Sequence, residues 1–474
     1  MSAHALGPGS GALALSQALA DRALSASELM QATLDRIDAV NGDVNAVVSL
    51  RDRNALMAEA RAADNSARRG WLHGIPIAIK DLANAAGLPT SMGSPIFAGQ
   101  VAAQDDIMVA RLRAAGALII GKTNTPQFGL GSHSTNPVFG PTRNPYDLSR
   151  SAGGSSGGAG VALACGMLSV ADGSDMMGSL RNPAGWNNIY GMRPSWGLVP
   201  SEPQGDAFLH QLSTNGPMAR SPRDLAALLD TMAGADPRQP HGLDQPPSLP
   251  QMDGDVPPLR IGWLGDWGGA LPMEAGVRDL CAAALVQFEG LGCAVDALDA
   301  PFDRDALWQS WTHLRSFAVA GGLAPLYHNA AQRDRLNPQA HWEITQGLSL
   351  SAMAVHAASV IRTDWFKAAA ALFDTYDVLA LPTAQMWPFD VTLNWPTEIA
   401  GVTMDTYHRW MEVVAPASLI GLPVVAVPVG FGEPDDLPMG LQLIGPRGSD
   451  ARLLHLAEAW HQATDWPNRR PPLL

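Results

Sequence analysis

The sequence predicts an α/β protein, and three observations carry that prediction. Helical and extended patterns alternate along the chain. Its strand candidates are short apolar runs bounded by turn residues. Its 474 residues, 46% hydrophobic and 16% charged, can bury a large core and lack the charge density of a disordered chain.

Taken in order, SASELMQATLDRIDAV opens with a capping-box pattern, Ser25 to Glu28. It then places Leu29, Thr33, Ile37 and Val40 near helical spacing. After Gly74, IPIAIKD alternates Ile75, Ile77 and Ile79 against Pro76, Ala78 and Lys80, the period of a strand, so Lys80 faces away from the isoleucines. MVARLRAAGA reads as a helix feeding the strand Leu118–Ile120. Between Gly153 and Gly178 lie eight glycines in 26 residues, a stretch whose backbone geometry is being specified. The Pro-rich stretch 236–258 has no periodicity and predicts an extended surface connection, the main internal boundary of a chain otherwise read as one domain, 1–474. Beyond it LRIGWLG reads as a strand, VRDLCAAALVQFEGLG as a helix and CAVDALD as a strand, with 305–375 largely helical. VLALPTA, LPVVAVPVGF and MGLQLIG are returning strands, and a last helix lies around 450–463.

Composition narrows the function. The net charge of −14 and the absence of a basic run make nucleic acid and anionic membranes poor partners. No 18-residue apolar run and no basic n-region occur, so a cytoplasmic location is expected. Cys165, Cys281 and Cys293 are widely spaced, with no metal-binding pattern, and read as small core residues; no metal or cofactor is expected. Bases are the sharper signal: 28 are arginine, and lysine stands only at 80, 122 and 367. GC-rich codon usage explains that bias. Each surviving lysine also marks a place where an amine able to lose its proton is useful, which guanidinium is not.

The segment SAGGSSGGAGVALACGMLSVADGSDMMGSLRNPAGW, residues 151–186, could carry chemistry. Glycines beside Ser155, Ser156 and Ser179 let backbone N–H groups approach a ligand, as an oxyanion site requires, although an isolated GGSSGG is more often a plain loop. A phosphate cradle is disfavoured, because no GK[ST] ending follows. Serine needs a base, and a strand lysine desolvated to neutrality, such as Lys80, can serve without histidine.

Here the sequence resembles the amidase signature family. GIPIAIKD looks like its lysine strand, GKTNTPQFGLGSHSTNPVFGPTRNP like the following segment, and GGSSGG…GSDMMGSLRNPAG like the signature itself. The pattern is densest over 70–200, returns in GLPVVAVPVGF…LPMGLQLIGP, and is weakest over 265–400, which is read as a variable, helical substrate-pocket region. The resemblance implies a mixed β-sheet core covered by helices on both sides. It implies an amidase acting through an acyl-enzyme on Ser179, with Ser155 as bridging serine and Lys80 as base; the two serines are 24 residues apart, as in the family. Met176, Met177, Gly178 and Ser179 would supply the oxyanion donors, Gly129 and Met177 would touch substrate, and Ser156, Asp175 and Arg181 would order the loop. The partner implied is a small-molecule amide or carbamate, with esters open to the same chemistry and a homodimer compatible with it. An amidotransferase subunit for transfer-RNA charging, or an inactive binding protein on the same fold, are the rival readings.

The chain departs from the family where Met177 stands in place of a glycine before the nucleophile. At ordinary φ its side chain becomes a pocket wall; at positive φ it would be strained. WNN at 186–188 replaces smaller residues. Lys122 reads as a loop support just after its strand, Lys367 as a solvated helix residue, and His133 as a satisfied loop histidine. Trp387, Trp395, Trp410 and Tyr407 either pack against the core or line an acyl or amine pocket.

Overall fold

The computed structural model describes residues 6–433 and 435–472. Helices and strands alternate as the patterns predict. The helix Ala26–Val44 begins where Ser25 Oγ accepts the Glu28 N–H and the Glu28 carboxylate accepts the Ser25 N–H, and it ends at Asn45 in the left-handed region (φ 52°). Leu29, Thr33, Ile37 and Val40 form part of its buried face.

Thirteen strands occur among the described residues. β1 (Val47–Val48), β2 (Pro76–Lys80) and β3 (Leu118–Thr123) form a small sheet of order β1-β3-β2, with β2 and β3 parallel. β4 (Val170–Asp175), β5 (Tyr190–Arg193), β6 (Thr214–Ala219), β7 (Arg260–Trp263), β8 (Ala294–Ala297) and β9 (Val378–Pro382) belong to a large sheet, and β10 (Glu398–Ile399) pairs with β11 (Val402–Thr403) in a short ribbon. β12 (Val424–Gly432) and β13 (Leu437–Ile444) complete the large sheet, whose order is β4-β6-β5-β12-β13-β9-β7-β8. It is mixed: β7 runs parallel to β8 and β9, and the other pairs are antiparallel.

Side chains alternate across this sheet, so β4, β6 and β12 each feed two cores. Ala171, Met218 and Ala426 join the apolar cluster that includes the helix Gly157–Ala164. Val170, Tyr190, Met192, Ala219, Val425 and Val427 join the cluster built on the helices Pro222–Met232 and Asp450–Thr464. The first face is lined with small residues because the segment carrying Leu180 lies directly on it: a Cβ on Gly173 would sit 2.6 Å from Leu180 Cδ2, and one on Gly191 only 2.1 Å from the Leu180 carbonyl oxygen.

The proline-rich stretch departs from expectation. Leu249–Met252 forms a 3-10 turn, with Met252 buried, where extended chain was expected. Nor does this stretch divide the sheets, since β7 and β8 beyond it extend the sheet begun by β4. Among the described residues no single helix is long and apolar enough to cross a membrane, and the pair Pro338–Ser349 and Ala352–Phe373, which together would be, is bent by 104°. The three cysteines are buried and unpaired.

Candidate active site

The site forms where the small sheet meets the edge of the large one. Lys80 ends β2, and its backbone N–H donates to both carboxylate oxygens of Asp172 on β4, at 3.0 and 3.3 Å. That contact fixes where the lysine side chain enters. Nζ lies 2.8 Å from Ser155 Oγ, 2.8 Å from Ser156 Oγ, 3.0 Å from Ser174 Oγ and 3.3 Å from the Ser174 carbonyl. Lys80 is 1% exposed. Burial lowers its pKa from 10.5 to about 7, against the opposing pull of Asp172 and Asp175. Asp172 is itself pushed up to about 6 by burial.

Ser155 and Ser156 occupy the turn into the helix Gly157–Ala164, and the Gly154–Ser155 peptide is cis. Ser179 sits on the loop between β4 and the helix Asn182–Trp186, and its carbonyl accepts the Ser156 N–H at 3.3 Å. Ser155, Ser174 and Ser179 all line one cavity of about 250 Å³. Its apolar wall includes Leu82, Met92, Phe128, Met176, Met177 and Met411, with Val319 and Leu323 contributed by the helix Arg304–His328. Gly129 also lines it at φ 70°, and a Cβ there would meet Leu82 Cδ1 at 2.8 Å.

The loop before Ser179 is held by a buried ion cluster. Asp175 accepts from Arg181 Nε at 2.9 Å and from its Nη2 at 3.0 Å, and Arg193 Nη1 lies 3.3 Å from its Oδ1. Despite burial, these guanidinium groups hold its carboxyl well below the usual range. Arg181 reaches on to the Val414 carbonyl, Gln442 Oε1 and Ser418 Oγ.

This clamp corrects one expectation. The Gly178 N–H donates to Asp175 Oδ1 at 2.8 Å, so it does not face the cavity as an oxyanion donor. Gly178 has φ 79°, and a Cβ there would lie 2.8 Å from Val414 Cγ2, so this position needs glycine on both counts. The N–H groups of Met176, Met177 and Ser179 have no hydrogen-bond acceptor among the described residues. Met177 is absent from the positive-φ residues and lines the cavity, as the unstrained alternative requires.

Ser156, expected as a loop-ordering residue, touches the lysine amine directly. Lys122 lies within β3 rather than after it, and its Nζ donates to the Ala83 carbonyl and to Thr90 Oγ1. Lys367 is an exposed residue of the helix Ala352–Phe373. His133 is bonded through Nε2 to the Val391 carbonyl and through Nδ1 to Ser151 Oγ, and burial lowers its pKa to about 4. None of Trp387, Trp395, Trp410 and Tyr407 lines the cavity holding the serines, but Trp395, Trp410 and Tyr407 line a small neighbouring cavity that shares Leu130, Gly131 and Ser132 with it. Trp410 stacks on Trp186 with centroids 5.7 Å apart, which accounts for the large residue at 186.

Sequence reasoning missed Asp172, Ser174 and Arg315. The first two follow in VADGSD, an acid and a serine inside a buried strand, which was the available signal. Arg315 lines the cavity from the helix Arg304–His328; its Nε donates to Glu343 Oε1 at 2.5 Å and its Nη2 to the Tyr407 hydroxyl at 2.9 Å. No local pattern marks it.

Fold and site together define a hydrolase scaffold in which a mixed sheet carries a serine-lined apolar cavity backed by a buried lysine. The amidase family profile matches residues 28–454. The chain is 35% identical to a glutamyl-tRNA(Gln) amidotransferase subunit of Thermus thermophilus, covering 95% of this chain and 96% of that one. It is 32% identical to an acylamidase of Rhodococcus erythropolis, covering 96% of each. A bacterial aryl acylamidase structure of the amidase signature enzymes superposes with a TM-score of 0.90 at 27% identity, over 98% of this chain and 99% of that one. This chain belongs to the amidase signature family.

Proposed function

We propose that the protein hydrolyses apolar or aromatic carboxamides, anilides or carbamates through an acyl-enzyme on Ser179. The observation that carries this reading is the 2.8 Å contact between a fully buried Lys80 amine and Ser155 Oγ at the wall of a cavity that also holds Ser179. A neutral amine has two N–H donors, matched by Ser156 and Ser174, and one lone pair for the Ser155 hydroxyl. Ser155 then gives its proton to Lys80 as it takes the Ser179 proton, and Ser179 Oγ bonds to the substrate carbonyl carbon.

The N–H groups of Met176, Met177 and Ser179 are the donors available to the developing oxyanion, each worth roughly 3 kcal/mol in such a site. As the C–N bond breaks, the relay runs backward and protonates the leaving amine. Water then attacks the ester, giving a proton to the same relay, and Ser179 is released with the carboxylic acid.

The cavity supports an uncharged, apolar substrate. Its charged lining residue is Arg315, and no carboxylate lines it to meet an α-ammonium group. That observation, and the likeness to acylamidases, favour a stand-alone amidase over an amidotransferase component that releases ammonia from a free amino acid. The purified chain alone is expected to release para-nitroaniline from para-nitroacetanilide, with Ser179→Ala lowering kcat by about 10⁶-fold. An inert chain that turned over glutamine only beside partner proteins would establish the amidotransferase reading instead.

A further inference from the structure

A second cavity of about 290 Å³ lies away from the serines, lined by residues that include Trp196, Arg362, Phe366, Gly421 and Arg447. Two guanidinium groups line it and no carboxylate does, in a chain of net charge −14. Neither arginine forms an ion pair among the described residues. Arg362 has one long contact, Nη2 to the Gln211 carbonyl at 3.4 Å, and Arg447 one, Nη2 to the Trp196 carbonyl at 3.3 Å. Arg362 is half-buried, and it also lies close enough to the buried Arg193 for the two charges to repel.

We propose that this cavity is a binding site for a small aromatic carboxylate, coupled to the nucleophile loop. The planar guanidinium fork matches a carboxylate bidentately, and Trp196 and Phe366 supply an apolar wall for a ring. An anion between the arginines supplies the missing counter-charge. The coupling is short: Gln211 lines this cavity and Ser213 lines the one holding Ser179. Between them the Leu212 carbonyl accepts Arg193 Nη2 at 2.9 Å, and Arg193 Nη1 donates to the Asp175 carbonyl. The coupling, unlike the binding, rests on the amidase reading.

The test is calorimetric titration of the whole chain with benzoate and with benzyl alcohol, a neutral counterpart with no amide bond to cleave. Benzoate is expected to bind saturably and benzyl alcohol not, with Arg362→Gln weakening benzoate by about tenfold and Arg447→Gln by several-fold. Arg447 is exposed, so its variant folds even where Arg362→Gln does not. Absence of benzoate binding, or binding by both variants as tight as by the native chain, overturns the site, the latter placing benzoate in the cavity of Arg315. In anilide turnover, benzoate is expected to change kcat, and to lose that effect in Arg447→Gln. Purely competitive inhibition that survives in Arg447→Gln overturns the coupling.

Discussion

At the scale of single residues, the proposed chemistry turns on Lys80. Burial outweighs Asp172 and Asp175 and brings its pKa from 10.5 to about 7, so the amine is largely neutral above that pH and charged below it. The rate of acylation is therefore expected to fall about tenfold per pH unit below roughly 7 and to level off above it. Asp172→Asn removes a charge that favours the ammonium form, and the acid limb of kcat/KM moves to lower pH. A profile flat from pH 5 to 9, or a shift to higher pH in that variant, contradicts the assignment. Lys80 was legible in the sequence because lysine is so scarce and because IPIAIKD alternates like a strand. Ser174, Asp172 and Arg315 were not, since each acquires its meaning from a partner on another element: Lys80 for the first two, Glu343 and Tyr407 for the third.

At the scale of elements, the loop from Met176 to Arg181 is shaped by its ion cluster rather than by its own sequence. Asp175 fixes the Gly178 and Leu180 N–H groups and neutralises two guanidinium groups, all at zero exposure. Asp175→Ala leaves both arginines buried without a counter-charge and is expected to cost about 3–5 kcal/mol in urea unfolding, with loss of turnover. A loss under about 1 kcal/mol would show that the clamp does not hold the loop. Elements whose signals are local were legible: Ser25 and Glu28 cap one helix, alternation marks β2, and a short apolar run marks β3. The Gly178 error has the same root, because the glycine pattern shows a freed backbone but not that Asp175 captures its N–H. Likewise nothing near Leu249–Met252 announces a 3-10 turn; Asp230, nineteen residues before Leu249, accepts the N–H groups of Ser248 and Leu249.

At the scale of the molecule, the site exists only because two sheets meet. β2 brings Lys80, the turn into Gly157–Ala164 brings Ser155 and Ser156, the end of β4 brings Ser174 and the loop after it Ser179, with the helix Arg304–His328 closing the far wall. The large sheet was legible as a class and not as an order, because β7 pairs with β9 across more than a hundred residues and no local pattern encodes that choice. The cavity's lining was the least legible feature, since its aromatic contribution is Phe128 and not the tryptophans that stood out by composition. The central claim is that this assembly activates Ser179 through Ser155 and Lys80. Its most direct measurement is labelling with a small fluorophosphonate, followed by peptide mass spectrometry, on the native chain and on Lys80→Ala and Ser155→Ala. The account predicts a label on Ser179 that both variants lose; a label on another residue, or one on Ser179 that both variants retain at the native rate, would contradict it.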